Sequence, residues 1–149
     1  MTTRIGAIVA SVAILSTVGG CGGSGKPPVV PAAGKVMFNK TTAPAGALVV
    51  FHPVDGALEK RIGGKPFGKV KDNGTFALTT YAQGDGAPEG EYGVTIDWRG
   101  KKEKAEGFTI GEGGGGQPLL NPKFSNPQQP AFKVIVKKGD KNDFTFDVD

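Results

Sequence analysis

Beyond its first twenty residues this chain has no long hydrophobic run, and throughout it has little of the equipment of catalysis. There is one cysteine, Cys21, so no intramolecular disulfide can form and the fold must stand on its apolar core. There is one histidine, His52, which rules out a histidine-based metal cluster, and no pattern of cysteine or acid nearby completes a ligand set. Outside the leader only Ser24 and Ser125 carry a serine hydroxyl, both in Gly/Pro-rich segments without a nucleophile-elbow motif. A Ser125–His52–acid triad therefore has no support. The formal charge of +4 is mild and spread along the chain, which excludes the clustered basic face that nucleic acid requires. Residues 113–116 are a glycine run, but no Lys-Ser/Thr follows, so no phosphate loop is read there.

What is present is clearest at the N-terminus. Arg4 supplies a short basic region, Ile5 to Leu15 is apolar, and Ser16 to Gly20 are small or β-branched, the three-part pattern of a secretory signal. The apolar run is too short to cross roughly 30 Å of hydrocarbon comfortably. Val18-Gly19-Gly20-Cys21 resembles the lipobox of bacterial lipoproteins. That resemblance implies cleavage before Cys21, lipidation of its thiol and acylation of the new amine, two or more chains being enough for stable anchoring. Gly22, rather than aspartate, follows the cysteine, which by the same resemblance favours the outer membrane, facing the periplasm or the cell surface. The expected organisation is a signal peptide over 1–20, a lipidated Gly/Pro-rich tether over 21–33, and one domain over 34–149.

That domain reads as all-β. The chain contains 25 glycines and 11 prolines, close to a low-complexity share, yet its aromatics recur in strand patterns. Val36 and Phe38 alternate with Lys35, Met37 and Asn39. Leu48-Val49-Val50-Phe51 is a continuous run suited to a strand covered on both faces. Asp72-Asn73-Gly74 lies between Val70 and Phe76, a hairpin signal. Tyr92, Val94, Ile96 and Trp98 give the cleanest period of two. Phe108 and Ile110 suggest a short return strand, with Lys101-Lys102-Glu103-Lys104 as a solvated tip before it. Phe132, Val134 and Val136, then a Gly139–Asn142 turn, then Phe144, Phe146 and Val148 close the pattern. No window after the signal sustains a helical period. The prediction is an antiparallel β-sandwich of about seven strands. The segment 111–131 stands apart as a long Gly/Pro-rich connection that Leu119, Leu120 and Phe124 could pin.

Gly34-x-Val36, Gly46-Ala47-x-Val49, Asp72-x-Gly74-x-Phe76-x-Leu78 and Gly90-x-Tyr92-x-Val94 together resemble the carboxypeptidase regulatory-like domain. Gly84 to Tyr92 and Asn121 to Pro127 are similar to small bacterial lipoproteins that carry it. The resemblance implies a transthyretin-like fold and a non-catalytic accessory module. The hydrolase built on that fold carries several histidines and a Tyr-Arg-Gly-Ser-like tail; this chain ends Phe146-Asp147-Val148-Asp149. The expected function is a non-enzymatic envelope lipoprotein, without cofactor or metal, held to the membrane through Cys21 and acting as a structural or protein-interaction module. The alternative is a carbohydrate or small-molecule binding module. Trp98 with Tyr92 and Tyr81 could offer a sugar platform, although the alternation assigns Trp98 to the core. Asp72 and Asp85, in glycine-containing turns, are expected to be hydrogen-bonded turn residues rather than calcium ligands.

Overall fold

The computed structural model describes residues 25–100 and 116–149. Cys21, the expected signal, residues 22–24 of the expected tether, Lys101–Lys104, Phe108 and Ile110 lie outside them. Among the described residues the chain is all-β, with nine strands and one α-helix: β1 (Val29–Val30), β2 (Ala33–Phe38), β3 (Leu48–Pro53), α1 (Gly56–Ile62), β4 (Phe67–Lys69), β5 (Thr75–Ala77), β6 (Ala87–Pro88), β7 (Gly90–Asp97), β8 (Phe132–Val136) and β9 (Asp143–Val148). The order is β4-β3-β7-β8 in a four-stranded sheet and β5-β2-β9 in a three-stranded one, with β1-β6 as a small ribbon.

The alternation seen in the sequence decides which face is dry. Cross-strand pairs share a face. Val49↔Ile96, Phe51↔Val94 and Tyr92↔Val134 therefore place one apolar set inward on the larger sheet. Gly34↔Phe144, Val36↔Phe146 and Phe38↔Val148 do the same on the smaller one. The two sets meet in one cluster of aromatic rings. Phe146 lies 4.9 Å from Phe132, 6.0 Å from Phe76 and 6.4 Å from Phe51, centroid to centroid. Phe51 also meets Tyr92 and Phe144. Gly34 is required by this closeness, since a β-carbon there would stand 2.9 Å from the Phe76 ring and inside the Phe144 carbonyl.

Several expectations are corrected. β2 and β9 run parallel, because they are the first long strand and the last, and each enters the smaller sheet from the same end. Ordered pairing begins before Gly34: Val29–Val30 pairs with Ala87–Pro88, and Ala33 opens β2. The Leu48–Phe51 run is one-sided, with Val49 and Phe51 buried and Leu48 exposed. The Asp72–Gly74 turn forms, with Gly74 at φ 83° and its N–H bonded to the Lys71 carbonyl, but its flanking strands belong to different sheets. The Gly139–Asn142 turn also joins different sheets. There Asn142 is buried and its side-chain amide donates to the Pro31, Lys137 and Asp140 carbonyls.

Helix α1 was not anticipated. At seven residues it offers one apolar pair, Leu58 and Ile62, too little to show a period. Its signals are local: the Asp55 carboxylate accepts from the Ala57 N–H at 2.8 Å, and Gly63 closes the last turn at φ 76°. In the segment before β8, Leu120 and Phe124 are buried while Leu119 is exposed; Phe124 stacks on Phe132 at 5.8 Å.

Phe146→Ala should cost about 3–5 kcal/mol, because four rings lose their common partner at once. Urea unfolding followed by fluorescence checks this; a loss under about 1 kcal/mol would show that the cluster collapses around the gap.

Candidate functional site

Three places on the molecule carry more than packing. The first is His52. It sits on β3, facing away from the core, with Nε2 2.8 Å from the Thr95 hydroxyl on β7. Burial lowers its pKa below the ordinary 6.5, the Lys65 ammonium lowers it further, and Glu59 opposes both. Glu59 and Lys65 are themselves paired at 3.0 Å. Ser125 donates instead to the Pro122 carbonyl, so the structure does not bring Ser125 and His52 together. Among the described residues no three His, Cys, Asp or Glu side chains converge.

The second is the loop 79–86. The Asp85 carboxylate accepts three backbone bonds: from Thr80 at 2.7 Å, and from Tyr81 and Ala82 at 2.9 Å each. Burial pushes this carboxyl up, but the bonds from Thr80, Ala82 and Tyr81 outweigh it and hold the pKa below the ordinary value. Gly84 N–H donates to the Thr79 hydroxyl at 2.9 Å, and the Thr80 hydroxyl donates to the Gly86 carbonyl. Asp85 is thus the turn lock expected of it. Asp72 makes no such bond among the described residues; its neighbour Asn73 does, accepting from the Thr75 N–H and hydroxyl.

The loop forms one wall of a groove of about 910 Å³, within the usual range for small-ligand sites. The opposite wall is β4 and the residues after it, including Phe67, Lys69 and Lys71; Thr79, Gln83 and Ala77 face them. No alternation in the sequence announces this groove, because it lies between edge strands of two different sheets.

The third is the outer face of the four-stranded sheet. Leu48, Val50, Phe67 and Ile135 lie on it, by their registers with Asp97, Thr95, Val50 and Glu91. Leu48 is 40% exposed, Phe67 46% and Ile135 56%. Val54, 61% exposed, follows β3 directly and bonds through its N–H to the Glu91 carbonyl. Among the described residues, four of the five large hydrophobics that stand out in solvent therefore belong to this one side, whereas scattered single residues would need no explanation. The fifth is Leu119.

The sugar platform considered above is not assembled. Tyr92 is fully buried, its hydroxyl donating to the Pro88 carbonyl at 2.8 Å, and burial raises its pKa. Trp98 is half-buried edge-on to Phe38, its indole N–H bonded to the Ala45 carbonyl. Tyr81 is tied to Pro27 by its hydroxyl, with the Lys26 ammonium 5.0 Å above its ring. No helix among the described residues is long and apolar enough to cross a membrane. No family model, curated protein or solved structure matches the chain.

Two pH effects follow. The native state disfavours His52 protonation, so the unfolded chain binds the extra proton first and stability falls as pH drops below about 6.5. His52→Gln should flatten that mild-acid loss in urea midpoints; an unchanged slope would remove His52 as its source. Asp85 acts lower. Its contribution is present above the ordinary carboxylate value of 3.8 and is lost as pH falls through the depressed one. Asp85→Asn should be less stable than the parent at neutral pH, with the two converging in acid.

Proposed function

We propose that this chain is a non-enzymatic envelope lipoprotein: a transthyretin-like β-sandwich, tethered through a lipid on Cys21, that works as a protein-interaction module. The observation that carries the reading is the exposed apolar side formed by Leu48, Val54, Phe67 and Ile135. Exposed large apolar side chains gathered on one side of a small domain, rather than scattered over it, mark a place where a partner sits. The lipobox-like Val18–Cys21 supports the anchor, and the order of the glycine and aromatic positions supports the regulatory-like domain. The absence from the sequence of a nucleophile–base pair supports a role in binding rather than turnover.

Two experiments test this. Cys21→Ser should move the protein from the membrane fraction to the soluble one; continued sedimentation with membranes would refute the lipid anchor. Leu48→Lys with Ile135→Lys, each facing an acid across the sheet (Asp97 and Glu91), should abolish co-purification of envelope proteins while changing stability by about 0.5 kcal/mol per site or less, as exposed positions do. Undiminished recovery of the same proteins with the double variant would move the interaction elsewhere.

A second reading, a carbohydrate or small-molecule binding module, is favoured by one specific observation: the groove between β4 and the loop 79–86. Its lining sets the polar and charged side chains of Lys69, Lys71, Asp72, Thr79 and Gln83 beside apolar surface that includes the exposed Phe67 ring, a mixture suited to an amphipathic ligand such as a sugar.

A further inference from the structure

The groove owes its existence to a ribbon that closes at both ends and fails to close in the middle. Phe67 and Thr79 exchange both backbone bonds, at 3.0 and 2.7 Å. Four residues further along the chain, past the end of β4, the Lys71 N–H reaches the Thr75 carbonyl at 2.8 Å. Both pairs belong to one antiparallel register. The rung midway between them, Lys69 with Ala77, makes no backbone bond across the ribbon among the described residues. The cause is the crossing of the two strands as they leave for different sheets. The Ala77 carbonyl rides over Gly68, where a β-carbon would stand only 2.7 Å from it.

We propose that this groove binds an anionic saccharide. The inference rests on reading the domain as a ligand-binding module and names the ligand class. The exposed Phe67 ring offers a flat apolar surface for the C–H face of a sugar. Phe67, Lys69 and Lys71 are two apart on extended chain and all exposed, so they project to the same side. Neither lysine is in a salt bridge among the described residues. Their two ammonium groups outnumber the one acid of the lining, Asp72, and suit a carboxylate or phosphate on the sugar. Across the groove, the Thr79 hydroxyl oxygen accepts from Gly84 N–H, which leaves its O–H to donate, and Gln83 adds an amide. The three bonds to Asp85 hold this wall in place before any ligand arrives, which lowers the ordering cost of binding.

The test is calorimetric titration of the full-length chain in detergent with trigalacturonate, mannose phosphate, maltotriose and inorganic phosphate. Trigalacturonate or mannose phosphate should bind at least roughly tenfold tighter than maltotriose, the size expected for charge-assisted hydrogen bonds. Phe67→Ala, and Lys69→Gln with Lys71→Gln, should each weaken that binding by about the same factor with the melting temperature retained. Added salt should weaken it too. Equal binding of maltotriose, unaffected by the lysine changes, would overturn the anionic class while leaving a ligand-binding module. Inorganic phosphate binding as tightly as the sugars, independent of Phe67, would reduce the groove to a bare anion site and overturn the proposal. Binding of none of the four would overturn both the proposal and the module reading beneath it.

Discussion

Everything in this fold is organised by the burial of Phe146. It sits on the last strand, yet its ring touches residues of β3, β5, β8 and β9. Lacking a disulfide, the chain relies chiefly on such apolar contacts to hold one sheet over the other. Three of the four rings that meet Phe146, those of Phe51, Phe76 and Phe132, come from other strands, so the cluster also ties together segments apart in sequence. The tight spots follow from it: Gly34 has no side chain because the Phe76 ring and the Phe144 backbone occupy that space.

The same demand shapes the surfaces. A strand that sends one set of side chains into the aromatic layer sends the alternate set outward. On β3 those are Leu48, Val50 and His52; on β4 they are Phe67 and Lys69. The outer face is therefore built largely on the hydrogen-bonded strands of the four-stranded sheet rather than on loops. The groove, by contrast, is a by-product of dividing strands between two sheets, and its far wall is held by polar bonds converging on one carboxylate.

Local pattern and global pairing were legible to different degrees. The alternation through Tyr92, Val94 and Ile96 marked the inward face of β7, because a strand writes its own period. Phe144, Phe146 and Val148 marked β9 for the same reason, with Phe144 only half-buried. What a strand pairs with is not written locally. Asn73-Gly74 announces a turn, but nothing within it tells whether the chain will double back or step across to the other layer. Helix α1 escaped notice because one apolar pair is no period, although Asp55 and Gly63 bracketed it. Val29–Val30 was hidden by the prolines around it. The groove and the outer patch depend on registers between segments far apart, such as Phe67 with Thr79 and Glu91 with Ile135. Of the aromatics considered as a platform, Tyr92 is in the core and Trp98 and Tyr81 pack partly against it, while Phe67, an exposed ring among the described residues, had no partner in the sequence to draw attention to it.

The parallel pairing of β2 with β9 has a consequence in time. During synthesis at about 5–20 residues per second, the first long strand emerges several seconds before its neighbour exists. Until then the smaller sheet has an open flank and Phe51 an uncovered ring. Closure must wait until β9 has been made, and pairings of such sequence separation form slowly in any case. This topology keeps the chain pliable while it is being made and converts it to a sealed body only at the end.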